Sequence, residues 1–154
     1  MILRNGRKKT ENIYGGLEIL RNKMVAVVVD TDILVDYTHG KARWIDEMSS
    51  TSRPKMKLVI PTPVIAEFFV SQKFADLSTK RAAIEFVDNL FVKQDFNSEI
   101  AHIWADLTRN NVFPAGAGTI DTMVAATAIY LKAPLATRNI PHYQGIPGLI
   151  FFTS

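Results

Sequence analysis

The run Met24-Val-Ala-Val-Val-Val29 narrows what this chain can become more than any other stretch. It is β-branched and apolar at odd and even positions alike, so both faces of an extended strand built from it would be apolar. Such a strand is stable where helices cover both sides, which is the place of a central strand in a parallel sheet. It stops abruptly at Asp30-Thr-Asp32, setting two carboxylates just beyond its carboxyl end.

The rest of the chain repeats this rhythm of short apolar runs and helical patterns. Arg43 to Ser49 is predicted helical, Lys57 to Ile60 a second strand, and Thr62 to Phe74 a helix with Thr62 as N-cap and Pro63 at the first helical position. Ser78 to Leu90 is predicted helical, with Ala82, Ile84, Phe86, Val87 and Leu90 in its apolar stripe. Phe91 and Val92 open a third strand. Ser98 to Thr108 is an amphipathic helix with Ile100, Ile103, Trp104 and Leu107 on one side. A loop from Pro114 to Thr119 leads to the apolar helix Ile120 to Leu131, and strands are expected at Ala133 to Thr137 and Leu149 to Phe152. Alternation of this kind predicts an α/β sandwich around a mostly parallel sheet.

Composition removes several classes of function. The chain has no cysteine, so disulfides, thiolate nucleophiles and cysteine-based zinc sites are excluded, and any metal must sit on oxygen or imidazole. Its apolar runs are too short to cross a bilayer, and a cytoplasmic location is expected. The pI of 9.2 suggests nucleic acid, but 12 of the 18 basic and 13 of the 15 acidic side chains lie beyond residue 23, so the excess charge belongs to the leader. Two parts are expected: a basic extension over residues 1–23, read as an arm or a loosely docked helix, and one domain over residues 24–154.

Ligands in open parallel sheets bind beyond the carboxyl ends of the strands. The residues there are Asp30-Thr31-Asp32 after the first strand, Glu67 in the helix after the second, and Thr137-Arg138-Asn139 after the late strand; Asp121 starts the apolar helix before it. Acids gathered in apolar surroundings repel one another and resist ionisation unless a cation compensates them. An all-oxygen set suits Mg²⁺ or Mn²⁺ and phosphate chemistry better than zinc. Each residue also has a plainer reading: Asp32 as an N-cap, Asp121 as a partner of its helix dipole, Glu67 paired with Lys73, and Asn139 as a turn residue.

Taken in order, four segments resemble the PIN domain, and most closely the VapC-type toxin nucleases of toxin–antitoxin pairs. They are Val27-Val-Val-Asp30-Thr-Asp-Ile-Leu34, Val64-Ile-Ala-Glu67-Phe-Phe69, Ile120-Asp121-Thr-Met-Val-Ala-Ala-Thr-Ala128, and Leu135-Ala-Thr-Arg-Asn139-Ile-Pro-His-Tyr143. The resemblance covers the chain from about Met24 onward. It implies a three-layer α/β/α fold and Mg²⁺- or Mn²⁺-dependent cleavage of single-stranded RNA. By it, Asp30, Glu67 and Asp121 are the metal-binding acids, Glu67 as a single inward glutamate. Asn139 orients water or substrate, while Thr31, Asp32, Thr137 and Arg138 contact the substrate, with Arg138 placed to meet a phosphate. An antitoxin partner and a homodimer are implied in the same way. Three features depart from the family pattern: Asp32 stands where a small polar residue is usual, the loop from Pro114 to Thr119 lacks a basic residue, and the basic leader has no counterpart.

Rival readings remain open at this point. A housekeeping RNA-processing nuclease has the same fold. Asp30-Thr-Asp32 also matches the strand end of haloacid-dehalogenase-type phosphatases, with Asp30 as nucleophile, although no acid follows Asp121 to complete that set. A non-catalytic PIN-like binding module is the third. Ser/His/Asp catalysis lacks its nucleophile elbow, and His39, His102 and His142 stand in unremarkable contexts.

Overall fold

The computed structural model describes residues 25–49 and 56–153; the expected extension over residues 1–23 lies outside them. Strand β1 (Ala26–Val29) is buried through Val27, Val28 and Val29, each fully shielded from solvent. It pairs in parallel with β2 (Lys57–Pro61) on one side, with Val27 beside Leu58, and with β4 (Leu135–Ala136) on the other, with Val29 beside Ala136. Strand β3 (Val92–Gln94) continues the sheet beyond β2, giving the order β3-β2-β1-β4 with every pairing parallel. The last expected strand, Leu149 to Phe152, shrinks to one parallel bridge between Leu135 and Phe151. Pro147 and Gly148, the latter at positive φ, turn the chain just before it and leave little length for a ladder.

Among the described residues six helices complete a three-layer α/β/α sandwich: α1 (Thr31–Thr38), α2 (Trp44–Ser49), α3 (Thr62–Phe69), α4 (Leu77–Leu90), α5 (Ser98–Arg109) and α6 (Thr119–Leu131). Helix α6 packs on β1, α3 and α5, which is why its residues from Val124 to Ala128 are all buried and it lacks a polar side. The hydroxyl of its buried Thr127 is satisfied within the helix, donating to the Met123 carbonyl at 2.8 Å.

Three local expectations are corrected. The helix expected from Thr62 to Phe74 breaks at Val70, and a 3₁₀ turn covers Gln72–Ala75. Its N-cap is Pro61 rather than Thr62, whose hydroxyl instead accepts the Phe96 N–H at 3.1 Å and ties α3 to the segment after β3. In α4 the buried side runs through Ala83, Phe86, Val87 and Leu90, whereas Ala82 and Ile84 face solvent. Those two lie roughly 100° around the helix from the residues that pack.

Candidate active site

Asp30 follows β1 directly and opens α1. Its extended backbone lets it act as the N-cap, with Oδ1 accepting the Thr31 N–H at 2.7 Å. Capping is thus the task of Asp30, not of Asp32, for which it was the plainer of two readings. Asp32 lies in the first turn of α1, where its Oδ2 accepts the Arg138 backbone N–H at 2.8 Å. The other oxygen, Oδ1, is buried without a hydrogen-bond partner.

Two hydroxyls bind the acids together. The Asp30 Oδ2 accepts from Thr137 Oγ1 at 2.9 Å and from the Tyr143 hydroxyl at 2.8 Å. Tyr143 is fully buried, and the same hydroxyl stands 3.5 Å from Asp121 Oδ1. Asp121, in the first turn of α6, reaches back to the Gly118 N–H at 2.8 Å, and its Oδ2 lies 2.7 Å from His142 Nδ1. Asn139 Nδ2 approaches the same His142 nitrogen at 2.6 Å. Nδ1 serves one of these at a time: protonated it donates to Asp121, unprotonated it accepts from Asn139.

The electrostatics follow from this crowding. Burial first, and then the charge of Asp32, push the Asp30 carboxyl up to about 6, against the lowering effect of hydrogen bonds from Thr137, Tyr143 and Thr31. Burial and the charges of Asp30 and Asp121 push the Tyr143 phenol well up, so it stays protonated and acts as a donor.

Glu67 stands apart from this group. It is exposed in the last turn of α3 rather than inward, and its carboxylate accepts the Thr31 hydroxyl. Lys73, weighed as its partner, lies over the rings of Phe68 and Phe74. The side chain of Arg138 pairs with a further acid, its Nε bound to Asp36 Oδ2 at 2.7 Å. The structure therefore joins Asp30, Asp32, Asp121, Thr137 and Asn139 through direct or shared hydrogen bonds, reaches Glu67 only through Thr31, and holds Arg138 by its backbone N–H.

Sequence reasoning passed over His142 as a group beside Asp121, and over Tyr143 beyond its being an aromatic after the Thr-Arg-Asn segment. The 3₁₀ turn Ile140–His142 presents the first, and Tyr143, at the end of that turn, follows as the second. A proline two residues before an aromatic was the only local signal.

Among the described residues no three acid or imidazole side chains close into a metal cage. The donors nevertheless fit a hard cation. They are carboxylate oxygens, one of them buried without a partner, in a site where burial and like charge make a carboxyl harder to ionise. Mg²⁺ keeps several waters and needs only one or two carboxylates from the protein.

The site also occupies a topological position. The chain builds β1, β2 and β3 outward in one direction and then returns to place β4 on the other side of β1. Asp30 follows β1 and Thr137 follows β4, so their contact marks the switch point where open α/β sheets bind ligands. Fold and site together define an α/β/α protein with a carboxylate-centred cleft at the switch of a parallel sheet.

The PIN domain family model matches residues 27–142, and the chain belongs to that family. PIN domains are nucleases, that is, hydrolases, and the membership removes the phosphatase reading of Asp30-Thr-Asp32. No curated protein matches the chain in sequence. Among solved structures the chain is similar to VapBC2 from Rickettsia felis bound to a promoter DNA fragment, at 20% identity and a TM-score of 0.66 over 83% of this chain and 98% of that one. VapBC-1 from nontypeable Haemophilus influenzae is similar at 23% identity and a TM-score of 0.66, over 83% and 97%. A toxin–antitoxin complex from Klebsiella pneumoniae is similar at 25% identity and a TM-score of 0.56, over 80% and 95%.

Proposed function

We propose that this chain is a metal-dependent endoribonuclease cutting single-stranded RNA, and that it is the VapC-type toxin of a toxin–antitoxin pair. The observation that carries the reading is the joining of Asp30 and Asp121 at the Tyr143 hydroxyl, at the switch point of a PIN domain. Asp30, Glu67 and Asp121 would hold Mg²⁺ or Mn²⁺. When bound, the cation supplies charge neutralisation and Lewis acidity for attack by water on a phosphodiester.

The chain's own groups prepare for this. Thr137 and Tyr143 hold Asp30 Oδ2, while the Gly118 N–H and His142 hold Asp121 Oδ2. Such outer partners orient ligand oxygens and are costly to remove. Asn139, pinned by its backbone N–H to Thr137 Oγ1 at 3.0 Å, orients water or substrate at the edge of the cleft. Thr31 couples the helix α1 N-terminus to Glu67.

The toxin assignment and an antitoxin partner rest on the neighbouring VapBC and toxin–antitoxin complexes. Homodimerisation and a cytoplasmic location belong to the same reading. No helix among the described residues is long and apolar enough to cross a membrane.

The test is cleavage of a labelled single-stranded RNA with Mg²⁺ or Mn²⁺, with EDTA, and with Asp121→Asn. The expected result is metal-dependent cutting that falls more than about a hundredfold in the variant, with circular dichroism unchanged. A folded, metal-loaded wild type that cuts none of a diverse RNA set would overturn the reading.

A further inference from the structure

Beside the acids, on the far side of Thr137, lies a recess of about 230 Å³ walled by Asp36, Lys41, Trp44, Thr137, Arg138 and Phe152 among others. It is smaller than the roughly 300–1,000 Å³ of sites that take drug-sized ligands, and suits a group the size of one nucleobase. We propose that it receives a base of the RNA next to the scissile phosphate, with guanine as the best match; this rests on the ribonuclease reading above.

Each wall supplies one part of nucleotide recognition. Trp44 and Phe152 pack against each other with ring centroids 5.0 Å apart and both remain half-buried, offering apolar aromatic surface at the recess. Bases unstacked from single strands settle on such surfaces. Asp36 is buried in the wall and fixed by Arg138 Nε on Oδ2 at 2.7 Å. A carboxylate only accepts hydrogen bonds, so it selects a base edge rich in N–H donors. Guanine, with N1–H beside its N2 amino group, presents an adjacent pair of donors, whereas uracil flanks its single N–H with two carbonyls.

Lys41 and Arg138 stand at the rim with exposed side chains, two cations facing a polyanion. Thr137 decides the register, because it lines this recess while its hydroxyl donates to Asp30. A base in the recess therefore places its own phosphate beside the acidic cleft. This assigns Arg138 a different task from the one expected of it: it braces the base-reading carboxylate instead of meeting the scissile phosphate.

The experiment measures fluorescence anisotropy of labelled UUGUUU and UUUUUU in EDTA, so that binding is read without cleavage. Wild type is expected to prefer the guanine-containing strand. Trp44→Leu should bind it about tenfold more weakly, and Asp36→Asn should lose the preference for guanine over uracil, both with melting curves showing a folded protein. Should Trp44→Leu not fold, Lys41→Ala, at an exposed position, is expected to weaken both strands about threefold. Folded variants that bind both strands as wild type does overturn the base pocket while leaving the nuclease reading intact. Loss of antitoxin binding with unchanged RNA binding also overturns it, and marks the recess as a protein-docking site. If wild type binds neither strand and cuts no RNA, both readings fail together.

Discussion

At the scale of single residues the site is an electrostatic conflict held in place by hydroxyls. Asp30 is among the few charged or polar residues in the buried set and sits against another carboxylate, Asp32. Its native carboxyl, at about 6, binds a proton more tightly than the 3.8 of an unperturbed aspartate. Protonation therefore favours the folded chain: the contribution is fully present below pH 3.8 and is lost as pH rises through about 6. Metal-free protein should gain on the order of 2 kcal/mol from Asp30 alone on going from pH 7.5 to pH 4.5. Urea unfolding in EDTA at those two pH values checks this, and Asp30→Asn should flatten the difference. An unchanged slope in that variant would show that another group sets the pH dependence.

Residue identity and position made Asp30 and Asp121 legible as candidates, one directly after an apolar strand and the other at the head of an apolar helix, although the helix dipole alone would account for an acid at Asp121. The same reasoning failed for His142 and Tyr143. Nothing in Ile140-Pro-His-Tyr143 states that a 3₁₀ turn will direct one side chain to Asp121 and bury the other between two acids. That outcome depends on contacts 21 and 113 residues away in sequence.

At the scale of elements, periodicity located the main helices and strands, and the errors came where capping and tertiary contact outweigh it. The first helix, α1, escaped notice because its polar and apolar residues alternate irregularly over only eight positions. Its cap, Asp30, is at once the first residue after β1 and a member of the site. Helix α5 offers a cap with no such double duty: Asn97 accepts the Ile100 N–H at 2.9 Å. Asn97→Ala should cost about 1 kcal/mol of stability, read from denaturant unfolding, and should leave RNA cleavage unchanged. A loss of cleavage without loss of stability would mean that α5 does more than support α6, on which Trp104 is anchored through its 2.9 Å bond to the Thr122 hydroxyl.

At the scale of the whole molecule, the site exists because β4 lies beside β1 rather than beyond β3. That placement brings Thr137 onto Asp30 and carries Asn139, His142 and Tyr143 around the head of α6. Because the gathered acids repel in the metal-free fold, a cation binding only the native state should stabilise it: at a hundred times its dissociation constant the gain is about 2.7 kcal/mol. Thermal unfolding with rising Mn²⁺ should show this for wild type and a much smaller rise for Asp121→Asn. Equal shifts in both would place the ion elsewhere.

The chain's own order of residues determined that the fold is α/β, that β1 is central, and that carboxylates stand at the ends of its elements. These follow from local rules, since β-branched runs, helical periods and the absence of cysteine act within a few neighbouring residues. Only the tertiary structure decided which acids share a hydroxyl, that Glu67 faces solvent, that Arg138 turns to Asp36, and that a base-sized recess opens behind Thr137. Those depend on strand order and on the packing of segments over a hundred residues apart, and no local preference of the backbone encodes a distance between them.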